Sequence, residues 1–316
     1  MGRQDSTGAI GPLLILLCTV IWGSAFIAQK LGADHYGPIA INCYRNVIAG
    51  FFLWGVLAIR NRARWAVVEG DGAVSFRRRR ETLGGVASGV CVFAAEVAQQ
   101  VGIEHTTPGV SAFLTANYVL LVPVFAWLIG RGRPGVAVWI GVALATAGSY
   151  FISLGPGECL GAIGTGEAWT LACAVLFAVQ IMVVDHFVPG SDMLRFSMVQ
   201  MFAAGLVALP FLFLPSELKR LSLDGFVKGL PALAYLGIVS SGIAYTLQNL
   251  GQARTPPALA AIIMAMESVF GAFFGWLLLG DVMTTRQLFG CASVLAAVIL
   301  SQLLPFRRNG KDDVAW

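Results

Sequence analysis

The chain has little charge and little of what chemistry in water requires. Only 12% of its residues are Asp, Glu, Lys or Arg, about half the roughly 25% of soluble domains. Its three histidines, His35, His105 and His186, stand alone near the ends of apolar runs. Neither HExxH nor GxSxG occurs, and Gly280-Asp281 lacks the preceding glycine of a GxGD site. A membrane-embedded enzyme is therefore set aside, and no cofactor or metal is expected. The six cysteines, Cys18, Cys43, Cys91, Cys159, Cys173 and Cys291, show no CxxC spacing. All but Cys159 fall in apolar runs, so they read as small packing residues. No polar joint is longer than Arg60–Glu81, which leaves no room for a separate soluble domain and disfavours a receptor. No ring of repeated charge or filter-like loop suggests a channel.

What the chain has is hydrocarbon. Apolar residues make up 57% and mean hydropathy is +0.76. Ten apolar stretches of about twenty residues each match the length a helix needs to cross a bilayer. They lie at 11–29, 38–59, 83–103, 107–129, 134–154, 165–187, 193–214, 228–250, 256–279 and 286–305. The fold class is an all-α polytopic membrane protein with ten transmembrane helices. Glu104-His105-Thr106-Thr107-Pro108 and Arg254-Thr255-Pro256-Pro257 supply breaks in otherwise continuous apolar sequence. Arg3 before the first run hints at a signal peptide. That run is longer than an h-region, however, and no small-residue cleavage site follows, so it is expected to be the first span.

Basic residues set the expected orientation. Arg3, Arg60, Arg62, Arg64, Arg77 to Arg80, Arg131, Arg133, Arg195, Arg254, Arg307, Arg308 and Lys311 share one side, fifteen of twenty-one. The other side has five: Lys30, Lys219, Arg220, Lys228 and Arg286. Basic residues stay in the cytoplasm, so both termini are expected inside a cell (plasma or inner) membrane. The Arg77-Arg78-Arg79-Arg80 run reads as a topology anchor beside anionic lipid rather than a nucleic-acid site. Trp54, Trp127, Trp139, Trp169 and Trp276 lie toward span ends, as interfacial anchors do.

Sliding the chain against itself reveals a repeat. Gln100, Thr107, Pro108, Ala112, Phe125 and Gly132 recur 148 positions later as Gln248, Thr255, Pro256, Ala260, Phe273 and Gly280, and the span breaks coincide. The chain divides into 1–155 and 160–306, five spans each, with 307–316 as a cytoplasmic tail. Five is odd, so the halves are inverted in the membrane. Inverted halves around a midplane site are a recurrent architecture of secondary transporters. GxxxG patterns at Gly85/Gly89 and Gly271/Gly275, with the Gly141, Ala145 and Ser149 stripe, read as helix packing. They allow a homodimer without arguing for one.

The Trp22-Gly23-Ser24-Ala25-Phe26 stretch with Lys30, then Gly37-Pro38 and Arg45, resembles the opening of an EamA-type protein of the drug/metabolite transporter superfamily. Phe113-Leu114-Thr115-Ala116-Asn117-Tyr118 with Val122-Pro123 is similar to that group's fourth span. Ala244-Tyr245-Thr246-Leu247-Gln248, Glu267 with Val269-Phe270, and Leu277-Leu278-Leu279-Gly280-Asp281 resemble its second half. The resemblance implies ten helices in two inverted repeats and export of amino acids, metabolites or drugs. Uptake by the same alternating-access machinery is the other reading. Asp281 replaces a frequent glutamate. Ser268 replaces a frequent proline, so the residue that would kink span nine is missing.

An ionisable side chain inside a span is presumed to face protein or water. Arg45, Glu96 and Glu267 are such residues. Helical spacing places Asn42, Arg45 and Asn46 on one face of span two, and Glu96, Gln99 and Gln100 on one face of span three. Ser111, Thr115 and Tyr118 line span four. Ser241, Tyr245, Gln248 and Gln252 line span eight. Span six contributes Trp169, Cys173, Phe177 and Gln180, and span one contributes Trp22, Phe26 and Gln29. The expected substrate-binding or translocation set is Trp22, Asn42, Arg45, Glu96, Gln99, Thr115, Tyr118, Gln180, Tyr245, Gln248 and Glu267. Its partners would be a small-molecule substrate and the bilayer. The competing role for each amide or hydroxyl is helix–helix adhesion. Removal from water favours the neutral form of a carboxyl, which makes proton-coupled export one use for these glutamates.

Overall fold

A computed structural model describes residues 5–62, 71–106, 108–130, 132–153, 163–220, 222–280 and 282–303. Arg3, Arg64, Thr107, Arg131, Cys159, Asp281 and the 307–316 tail lie outside the described residues. Among the described residues every regular element is helical. Ten helices are long and apolar enough to cross a membrane: Ala9–Ala33, Pro38–Asn61, Phe76–His105, Val110–Leu128, Val136–Ser153, Thr165–Phe187, Met193–Phe213, Leu223–Gln252, Pro257–Leu279 and Thr285–Leu303. Each contains most of one expected span. Only closed backbone hydrogen bonding survives in hydrocarbon, and helices satisfy it locally. Leu13, Phe51, Phe289 and Leu295 are among many large apolar side chains left exposed, as a lipid-facing surface requires. The five expected anchor tryptophans are all exposed as well.

Proline places both sharp turns where expected. The third helix ends at His105 and the next begins at Pro108; the eighth ends at Gln252 and the next begins at Pro257. At the start of the third span the expectation needs correction. The helix begins at Asp71, twelve residues before the apolar run at 83, so Arg77 to Arg80 ride on its first turns rather than in a loop. Arginine is a good helix former, and helix formation does not stop where hydropathy does.

Spans four and nine are both interrupted along their length. Span four breaks at Asn117, between Pro108–Ala116 and Tyr118–Leu128, and span nine breaks at Ala265, between Pro257–Met264 and Met266–Phe274. The two breaks are 148 positions apart, which is the offset of the sequence repeat. Gly132 and Gly280, also 148 apart, both adopt the left-handed backbone (φ 90° and 73°) that favours glycine. Span nine is interrupted at Ala265 with no proline there. The Ser268 hydroxyl and amide both donate to the Ala265 carbonyl, at 2.7 and 3.2 Å, and Asn117 does similar work on Phe113 and Leu114. In span eight, Tyr235–Ile243 is a π-helix.

Span three packs against spans six and seven, span two against seven, span five against ten, and span one against eight and nine. Gly89 shows how closely. A Cβ there would press into the Gln200 carbonyl and lie 2.8 Å from the Ala203 Cβ. This GxxxG face is thus filled by span seven of the same chain.

At the end of the bundle where span one starts and span ten finishes, side chains knit the helix ends together. Asp192 accepts from Arg60, and Glu81, almost wholly buried, accepts from the Asp192 amide (2.9 Å) and pairs with Arg195 (3.2 Å) and Arg77 (3.6 Å). Burial pushes the Asp192 carboxyl up, but Arg60 and the Leu194 and Arg195 amides together more than offset this and hold it below the usual carboxylate range. On the opposite side Glu217, also buried, accepts from the Ile39 and Ala40 amides at 3.3 and 3.0 Å. It thereby caps span two from another part of the chain.

Candidate functional site

Between the two broken spans lies a small, partly enclosed cavity of about 60 Å³. It is lined by Trp22, Phe26 and Gln29 of span one, Arg45 of span two, Glu96 and Gln99 of span three, and Thr115 and Tyr118 at the span-four break. Phe177, Gln180 and Ile181 of span six, Ser240, Tyr245 and Gln248 of span eight, and Met264 and Glu267 at the span-nine break complete it. Each break lets a residue before it and one after it reach the same space: Thr115 with Tyr118, and Met264 with Glu267.

Ten of the eleven expected residues line this cavity. Asn42 does not: its side-chain amide donates to the Pro38 carbonyl of its own helix (2.9 Å), an i−4 bond that uses the group locally. Trp169 is exposed toward lipid, and Gln252 donates to the Ile181 carbonyl at 3.2 Å. Ser240 lines the cavity in place of Ser241. The π-helix accounts for this, since its i→i+5 repeat brings Ser240 and Tyr245 to one face. The same stretch leaves the Ser240 carbonyl to accept from the Trp22 indole N–H at 3.2 Å. Ile181 and Met264 were not assigned from sequence, because an apolar lining residue has the same signature as core.

The three ionisable residues are in different situations. Glu96 and Arg45 are nearly inaccessible and pair at 3.3 Å. Glu96 also accepts from the Asn46 side-chain amide (2.7 Å) and the Tyr245 hydroxyl (3.3 Å). Arg45 donates to Ser241 (2.9 Å) and Ser240 (3.3 Å). This pair is closed, as a buried ion pair must be to offset its desolvation. Glu267 has no cationic partner among the described residues. Tyr118 lies within electrostatic range of it, yet the Tyr118 hydroxyl closes no well-formed hydrogen bond.

Beneath the cavity, toward the end where span one starts and span ten finishes, runs a ladder of amides and hydroxyls. Gln248 donates to Gln180 (3.2 Å), and Gln180 and Gln200 both donate to Ser88 (3.3 and 2.9 Å). Asn249 donates to Gln200 and Ser197, each at 2.8 Å. Spans three, six, seven and eight are joined here by polar contacts, which is how helices adhere without a hydrophobic driving force. Gln29 and Gln99 mark the other end of the cavity.

Comparison with known proteins agrees with this architecture. The profile of the EamA-like transporter family matches residues 9–154 and 164–303. The chain is 27% identical over 302 residues to an uncharacterized transporter of Archaeoglobus fulgidus, covering 96% of this chain and 89% of that protein. It is 25% identical over 295 residues to a protein named as a probable terminal-alkyne amino-acid exporter in Streptantibioticus cattleyicolor, covering 90% and 91%. A solved crystal structure with 18% identity superposes with a TM-score of 0.74 over 97% of this chain and 99% of that one, which shows the common fold. This chain belongs to the EamA-like transporter family and is a membrane transporter rather than an enzyme.

Proposed function

We propose that this transporter is a secondary active exporter. It moves a small metabolite, amino acid or drug-like amphiphile by alternating access, with the cavity as its binding site and proton exchange at Glu267 as its coupling. The observation that carries the reading is Glu267 itself, a carboxylate without a counter-ion among the described residues. It faces a cavity between two helices broken along their length. A charge in that position is costly to keep, and broken helices at the midplane are where secondary transporters hold their solutes. Export is supported by the name of the Streptantibioticus relative.

The same reading includes two inverted five-helix halves, 1–155 and 160–306. Support comes from the two separate stretches matched by the family profile and from the equal 148-residue offset of the helix breaks and left-handed glycines. It also places both termini in the cytoplasm of an inner or plasma membrane, on the fifteen-to-five bias of basic residues. In that orientation the polar ladder and the Glu81 cluster close the cytoplasmic side, and the cavity extends outward.

The test is comparative extracellular metabolite profiling of intact cells with and without the protein, to identify the solute. Transport of that solute by proteoliposomes is then measured with and without a pH gradient. Glu267→Gln should keep the protein folded and inserted while transport falls to background. Wild-type rates for this variant under both conditions would refute the role given to Glu267, and net accumulation of the solute inside cells would reverse the direction.

A further inference from the structure

We propose that the transported solute is a cationic amine, with a protonated amino group and no carboxylate of its own. The inference rests on the reading of the cavity as the solute site. It begins with charge. Arg45 is the only basic residue among those lining the cavity, and it is held by Glu96, Ser240 and Ser241. Among the described residues that line the cavity, no free cation is left to receive a carboxylate or phosphate. With Arg45 and Glu96 cancelling, ionised Glu267 leaves the cavity one net negative charge.

Hydrogen bonding points the same way. Gln248 has already committed its N–H donors, to Gln180 and the Met264 sulfur, while its buried carbonyl oxygen has no donor. The Tyr118 hydroxyl lies beside the Glu267 carboxylate, near enough to interact with it, but closes no well-formed hydrogen bond. Buried polar atoms are nearly always satisfied, so these atoms can take up the donors of a ligand. Two of the three open groups, the Glu267 carboxylate and the Gln248 carbonyl, can only accept, and the Tyr118 hydroxyl can accept as well. An ammonium group brings three donors and no acceptor. An amino acid would bring its carboxylate among these acceptors with nothing to bind it.

The remaining wall suits the rest of such a molecule. Trp22 and Tyr245 meet edge to face at 5.1 Å, and Phe26 and Phe177 also line the space. Aromatic faces attract cations and pack against apolar stems.

The experiment compares ligands that share an aromatic stem and differ in the ionic groups they carry. Purified protein in nanodiscs is titrated calorimetrically with 2-phenylethylamine, phenylalanine and 3-phenylpropionate, and then with tryptamine, tryptophan and indole-3-propionate. The expected result is that each amine binds at least about tenfold more tightly than its matching amino acid, as a charge-assisted contact against an unmatched carboxylate implies. Glu267→Gln should remove that preference, and Tyr118→Phe should weaken amine binding less. The wild-type series decides the matter even if a variant fails to fold. Amines that do not bind, or bind no better than the amino acids, overturn the proposal. If amino acids or carboxylates bind instead and Glu267→Gln abolishes that binding, the cavity reading survives and the amine does not. If amines bind and Glu267→Gln changes nothing, both fall.

Discussion

Removing both members of the Arg45–Glu96 pair should cost clearly less than the sum of removing each alone. Each side chain is about 5% exposed or less, so either substitution alone leaves a charge buried without its partner, which typically costs 3–5 kcal/mol. Glu96→Gln should sit near the low end, about 3 kcal/mol. Arg45 keeps its bonds to Ser240 and Ser241, and glutamine can still accept from Asn46 or Tyr245. Arg45→Met should cost a similar amount, because Glu96 keeps the same two donors. The double variant has no stranded charge, and its cost should stay at or below about 4 kcal/mol. The coupling energy is then at least about 2 kcal/mol. Equilibrium unfolding in mixed detergent micelles, followed by tryptophan fluorescence, measures all four corners of the cycle. Additivity within about 0.5 kcal/mol would refute the idea that the pair is closed on itself. It would also undo the charge count that leaves Glu267 alone. In transport, Glu96→Gln should retain measurable activity where Glu267→Gln does not.

Two other outcomes follow from packing and orientation. Gly89→Val should destabilise the protein by about 1–3 kcal/mol, the usual cost of overpacking, because its side chain would strike the Gln200 carbonyl and Ala203; an unchanged unfolding midpoint would show that spans three and seven can separate there. Single cysteines in a background without native cysteines should be reached from outside intact cells at Lys219 and missed at Arg79, and the opposite pattern would invert the proposed topology.

Much of this molecule was legible in its sequence, and the illegible parts share a cause. Ten spans could be located because hydrocarbon imposes a length, and the breaks at Pro108 and Pro256-Pro257 because proline cannot continue a helix. Glu96, Gln180 and Tyr245 could be assigned to an interior face because lipid offers them no partner. Helical periodicity fails where the helix is not α. The π-helix over Tyr235–Ile243 exchanges Ser241 for Ser240, and no residue in that stretch announces it. Asn42 fails for another reason, since a side chain that satisfies its own helix looks in sequence like one waiting for a ligand. The early start of span three escaped because hydropathy measures where a chain leaves water, and helices do not stop at that boundary.

The cap on span two has a consequence for biosynthesis. Glu217 lies 177 residues after Ala40 in the chain. At about 5–20 residues per second, ribosomes need roughly 9 to 35 seconds to make that interval. Throughout it, the first turn of span two must wait without its acceptor, which favours holding that end at the wet interface. Pro38 eases the wait, since it opens the helix with no N–H to satisfy, and Gly37 leaves room for the carboxylate that comes later. Nascent chains halted before residue 217 should therefore hold the start of span two shallower than finished ones.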